Sequence, residues 1–386
     1  MPVRALTFEP LVPGDWTEVP ADVGREWRHP SGLGLRWRVH EGPRTRVELT
    51  VLPAEDVAQA SAPRLRVHTE HPLVPWLAGA GAQLVAMTPD GPVHAVLRRG
   101  TALGEPSSMS IAPEPLVVAP GHALGSVWVV EQLAGDLLDL PPEPDWLPPR
   151  VHVPVGEEIR LALPDQVVTG VESTEDDETV VLADGAGLHV AEIAGPAGVT
   201  RLEVGWHLDR DELLAAAMDG APDDLWCALA ARRDDVDPDE YDARLARALA
   251  HPTTWALLAA AARPGGGCSP EQLREAAEAL ATHADVPTRV ALFSRGLVGT
   301  EHLVGVPLGK DAYAALARFG FGRPMTGYPE GAERELASVW LWLAGLGESP
   351  LAARVGAMAG RIQARALSRV SGDVDREAVA WLTLFD

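Results

Sequence analysis

Hydrophobic positions along this chain follow one period up to about residue 206 and another beyond it. Leu35, Trp37 and Val39 alternate with Arg36, Arg38 and His40, the two-residue period of a strand with one buried face. Val47, Leu49 and Val51 repeat the pattern, as do Leu65, Val67 and Thr69 against Arg66, His68 and Glu70. Residues 84–97 read as a hairpin around Pro89-Asp90-Gly91, and Pro120-Gly121 precedes a strand through Val127–Val130. Antiparallel strands with one wet face form sandwiches, so residues 1–140 are expected to be an antiparallel β-sandwich.

Pro141, Pro142, Pro144, Pro148 and Pro149 then mark residues 141–150 as an extended connector, with Trp146 expected to pack onto a neighbouring domain. Val151, Val153 and Val155 alternate next, followed by Ile159, Leu161 and Leu163, and later by Leu202, Val204 and Trp206. Short strands at this density predict a small Ig-like β module over 151–206, without the antibody-type Cys–Trp–Cys core.

Residues 207–386 are expected to form an α-helical bundle. Asp209, Asp237, Ser269 and Ser349 are each placed to cap a helix, and Pro follows Asp237, Ser269 and Ser349 at the first helical position. Leu273, Ala276, Ala277 and Leu280 make one apolar face; Leu351, Val355, Met358 and Ile362 make another. Leu336–Leu343, apolar almost all round and containing Trp340 and Trp342, is expected to be the buried central helix. The fold class is therefore multidomain α+β.

A length of 386 residues agrees with two or three domains. Composition narrows the function more than it defines it. With 55 acidic against 32 basic residues, the formal charge is −23, which repels nucleic acid and anionic membrane surfaces. Lys310 is the one lysine, so any lysine-nucleophile chemistry would have to use it. Cys227 and Cys268 cannot build a disulfide framework. The start lacks the apolar core of a signal peptide, and no long apolar run predicts a membrane span, so a cytoplasmic protein is expected.

The most suggestive polar cluster is Arg66, His68 and Glu70, which a strand would place on one face, with His71 beside them and Trp76 at a nearby loop edge. The competing reading is an ordinary solvated strand face. Two histidines without a third ligand do not make a zinc site, and the acids at 234–240 fit a helix start better than a calcium loop; neither metal nor cofactor is expected. Trp16, Trp27 and Trp76, close to Gly and Pro, are candidate platforms for a binding surface. Arg354, Arg361, Arg365 and Arg369 fall along one side of a predicted helix, a stripe suited to a partner's carboxylates.

G-x-S-x-G and G-x-G-x-x-G are absent, and Gly305–Asp311 fails as a P-loop. The expectation is a non-catalytic binding or assembly protein, with a β surface and a helical partner interface. The alternative is a carbohydrate-active enzyme or sugar-binding protein, which would need two carboxylates facing each other across a Trp-lined pocket.

Overall fold

The structure, a computed structural model, describes residues 5–71, 73–76, 82–88, 91–132, 146–163, 167–176, 179–195, 198–306, 308–323 and 332–384. It is a mixed α+β chain of antiparallel sheets followed by helices.

The first β unit is organised by an eight-stranded antiparallel sheet. Its spatial order is Thr17–Val19, Arg25–Arg28, Gly34–His40, Arg44–Leu52, Leu124–Gln132, Gly91–Arg99, Gln83–Thr88, Leu73–Trp76. Leu35, Trp37, Leu49, Leu84 and Trp128 face a core shared with Leu65, Met109 and Leu116 from two smaller sheets. The hairpin predicted over 84–97 pairs Gln83–Thr88 with Gly91–Arg99; its tip, Pro89-Asp90, lies outside the described residues.

Residues 133–145, with most of the predicted Pro-rich connector, also lie outside them. Where the chain is described again, Leu147 is buried and Trp146 packs against the core of the second β unit. That unit has two sheets. One is ordered His152–Pro154, Gly198–His207, Gly187–Gly195, Val167–Thr169; the other is Ile159–Leu161, Thr179–Leu182, Ser173–Asp176. Leu202, Val204 and Trp206 point into the core between them, so Glu203, Gly205 and His207 must face the other way. The His152–Pro154 strand runs parallel to Gly198–His207 and pairs His152 with Gly205 and Pro154 with His207, adding two more residues to that outer face.

The helices are α1 (Arg210–Met218), α2 (Asp223–Ala230), α3 (Pro238–Leu249), α4 (Thr254–Ala262), α5 (Pro270–Ala281), α6 (Val286–Ser294), α7 (Leu308–Arg318), α8 (Ala332–Leu346), α9 (Pro350–Gly372) and α10 (Arg376–Leu382). Several start at a capping side chain. Asp209, Asp237 and Ser349 accept from the first free amides of α1, α3 and α9, and Ser269 with Gln272 closes a reciprocal box on α5.

The expectation that Leu336–Leu343 is the buried central helix holds in part: α8 packs on α6, α7, α9 and α10, and Leu336, Ala337 and Val339 are buried. Trp340 and Trp342 are only half-buried, whereas α9 packs on α8 and α10 with one face and on the second β unit with the other. A helix of 23 residues with apolar Val355, Met358, Ile362, Ala366 and Val370 on one side can serve two layers only if its other side also finds partners.

The helical unit also closes on the eight-stranded sheet. Residues on that sheet's second face include Val85, packed among helical side chains, and Gln83, whose Oε1 accepts from Arg323 Nη1 at 2.6 Å. The contact is made by a tight turn, Gly320–Gly322, with three successive positive φ angles of 61°, 55° and 73°. Phe321 holds this costly conformation because its ring is fully buried, 5.5 Å from Tyr313. Gly322 cannot be replaced, since a Cβ there would lie 2.8 Å from the Met358 carbonyl oxygen. Beside this joint His94 is 3% exposed. Burial, then the nearby charges of Arg323 and Arg98, push its imidazole down to about 4.

This makes stability pH-dependent in a defined direction. Below pH 6.5 the unfolded chain takes up a proton at His94 that the folded chain refuses until about pH 4, so stability falls as pH falls through that window. His94 should account for a loss of about 2 kcal/mol between pH 7 and pH 5. Urea denaturation at those two pH values should show a smaller loss in His94→Leu; an unchanged loss would count against a neutral buried ring.

Candidate functional site

The outer face of the His152–Pro154 and Gly198–His207 strands is met by α9. Arg365 Nε donates to Glu203 Oε1, with both side chains almost fully buried. His152 Nε2 lies 3.8 Å from the same carboxylate, an electrostatic contact too long for a hydrogen bond, and the nitrogen has no hydrogen-bond partner. Gly205 leaves room for this arrangement, because a Cβ there would stand 2.6 Å from Ser368 Cβ and 2.9 Å from His152 Cδ2. Burial depresses the His152 imidazole, Glu203 opposes the shift, and Arg365 and His207 add to it. For Glu203 burial works to raise the carboxyl, but His152 and Arg365 more than offset it and hold it below the usual range. The group that stays charged is thus the carboxylate, facing the guanidinium.

Next to this buried cluster the two layers part, leaving a cleft of about 800 Å³. Pro148, Pro149, Arg150, Val151, His152, Pro154 and His207 form one wall, while Ala357, Gly360, Arg361 and Ala364 of α9, with Gly322, form the other. The helix wall is low because Ala357, Gly360 and Ala364 are small and recur at helical spacing. His207 Nδ1 donates to the Leu208 carbonyl at 3.1 Å, which orients its ring.

Of the four arginines in the predicted stripe, Arg361 lines this cleft, Arg365 is enclosed against Glu203, and Arg369 pairs with Glu333 of α8. Arg354 lies half-buried two turns before Arg361. The carboxylates that meet Arg365 and Arg369 therefore belong to this chain. His152, Glu203 and His207 were missed in the sequence. Glu203 alternates with Leu202 and Val204, which on its own reads as a solvent-facing position.

The other predicted cluster is arranged differently from expectation. Its strand ends at His68, so Glu70 and His71 fall in the following turn and do not continue the face of Arg66 and His68. The carboxylate facing His68 comes from the neighbouring strand Thr7–Leu11: Glu9 Oε2 is 2.8 Å from His68 Nε2 and 3.8 Å from Arg66 Nη1. Its hydrogen bond with His68, against some desolvation, lowers the Glu9 carboxyl. Thr7, Val67, His68, Thr69, Glu70 and His71 border an open depression of about 750 Å³. The backbone of Trp76 pairs with Gln83 at the edge of a different sheet.

Trp16 and Trp27 are corrected as platforms. Both rings are buried in the first core, and Trp16 Nε1 donates to the Ser61 carbonyl at 3.2 Å. A second polar arrangement has hydrolase-like connectivity: His29 lies 2.7 Å from Ser31 Oγ and 3.2 Å from Asp15 Oδ2. However, the amides beside Ser31 are already engaged, Ser31 N–H by His29 Nδ1 and Gly32 N–H by the His29 carbonyl, which leaves no oxyanion donor there. It is a loop clasp. Burial pushes the Cys227 thiol up to about 12, so it is not a poised nucleophile. Among the described residues no group of three His, Cys, Asp or Glu could hold a metal ion, and no helix is long and apolar enough to cross a membrane.

No protein-family profile matches the chain, and no curated protein matches it. Among solved structures it aligns with one named as a polysaccharide lyase, at a TM-score of 0.36 and 10% identity, covering 90% of this chain and 73% of that one. A likeness of that size carries no argument about activity.

If the Arg365–Glu203 contact ties α9 to the second β unit, Arg365→Met should destabilise the protein by about 3–5 kcal/mol, because it leaves a buried carboxylate uncompensated. Glu203→Leu combined with Arg365→Met should recover most of that loss. Urea unfolding of the two single variants and the double variant measures the coupling. Strictly additive losses would contradict it.

Proposed function

We propose that this chain is a non-catalytic binding protein. On this reading the chain joins two β-sandwich units, the second Ig-like, to a helical unit, and the second β unit and the helical unit form a ligand cleft between Pro148–Pro154 and α9. The observation that carries it is the cleft itself, a concave space between Pro148–Pro154 and α9 with largely apolar walls and a few polar side chains, Arg150, His152, His207 and Arg361. The cleft volume of about 800 Å³ is also that of a small-molecule site.

The carbohydrate-active alternative has less support. Glycoside hydrolysis uses two carboxylates about 5–10 Å apart, and no Asp or Glu is among the described residues lining the cleft. An assembly role through the arginine stripe is weakened as well, since Arg365 and Arg369 are engaged within the chain.

Gly360→Leu provides the test. A Cβ at Gly360 meets nothing within 4 Å, so the larger side chain would enter the cleft and not the core. Replacing a helical glycine should leave the melting temperature unchanged or raise stability by up to ~1 kcal/mol. When metabolite extract is passed over each protein, mass spectrometry should find species retained by the wild type and lost from Gly360→Leu. Identical retention by both would exclude the cleft as the binding site.

A further inference from the structure

We infer that the joint between the eight-stranded sheet and the helical unit is an acid-released latch, in which a proton on His94 frees the first β unit while the second β unit stays tied to α9. Alternation along the Gly91–Arg99 strand sets the geometry. Val93, Ala95 and Leu97 point into the first core, so His94 and Val96 lie on the sheet's second face. Register places Val85, a member of the helical core, directly beside His94 on one side and Glu131 on the other. The imidazole is thus enclosed where the two units meet, and its Nε2 has no hydrogen-bond partner.

The charged groups around that ring oppose a proton. Among the described residues, Arg98 stands on the same strand and Arg323 follows the Gly320–Gly322 turn, and both disfavour a positive imidazole. Glu131 is the facing carboxylate, but its Oε2 pairs with Arg44 Nε at 2.7 Å on the next strand. A charged His94 is therefore solvated only when the two units separate. Separation takes Arg323 away from Gln83, and the turn, costly in its left-handed conformation, loses its anchor on the sheet. Gly322 lines the cleft, so the release reaches that wall as well. The other joint responds differently. A proton on His152 would face Glu203 at 3.8 Å, and the Arg365–Glu203 pair outlasts mild acid because its carboxyl is held below the usual range.

Hydrogen exchange of the full chain at pH 7 and pH 5, with each rate corrected for intrinsic exchange, tests the latch. An imidazole that titrates at 6.5 when released and at about 4 when enclosed makes the open state roughly twentyfold more populated at pH 5 than at pH 7. The Gly322 and Arg323 amides should lose protection by that factor, and those of Leu202–Trp206 by much less. His94→Leu should remove the pH-dependent loss at the turn, and His94→Gln provides a second neutral replacement if His94→Leu folds poorly. The same loss persisting in a folded neutral variant would overturn the inference. So would equal losses at the turn and at Leu202–Trp206, which would mean that acid unfolds the chain as a whole. Unchanged protection of the wild-type turn at pH 5 would show that the latch stays shut and would overturn it too.

Discussion

A guanidinium and a carboxylate meet in the interior between α9 and the outer face of the second β unit. Neither Arg365 nor Glu203 could stay buried alone, because each would keep its charge and lose its water. Together they allow a strand face that would otherwise need solvent to be covered by a helix, and a helix face that would otherwise need solvent to be covered by a sheet. The remaining features of the joint follow from that contact. Gly205 provides the clearance, Ser368 fits over it, and His152 is held neutral beside the carboxylate.

Two consequences reach beyond the pair. The helix is committed on both sides, with Val355, Ile362 and Val370 in the helical core and Arg365 and Ser368 towards the sheet. It therefore cannot shift along its axis without losing contacts in both layers. The turn at Gly320–Gly322 adds a third layer, joining α9 through Gly322 to the eight-stranded sheet through Arg323 and Gln83. The cleft lies where these layers meet, and its walls come from elements fixed by packing elsewhere. A site supported in this way can be preorganised without relying on loop rigidity.

Much of the architecture could be read from the residues. Alternation located the strands carrying Leu35 and Trp37 or Val204 and Trp206, because one face of each is buried in a local core. Capping chemistry at Asp237, Ser269 and Ser349 located helix starts, because those bonds are made within a few residues. The site was less legible. Glu203 and Arg365 are 162 residues apart, and each alone has the pattern of a solvated position. The arginine stripe on α9 was visible, but periodicity cannot say that its partner is the same chain. His68 and Glu70 looked like a pair only while the strand was assumed to continue. It ends at His68, and Glu9 supplies the carboxylate from a strand 59 residues away.

The central claim is that the Arg365–Glu203 contact makes the second β unit and α9 open as one cooperative body. Native-state hydrogen exchange measures this directly, by comparing amides of Leu202–Trp206 with those of Ile362–Ala366 across a denaturant series. The account predicts one opening free energy and one denaturant dependence for both sets. If the strand amides exchange through a lower-energy opening that leaves α9 protected, the joint does not hold the two units together.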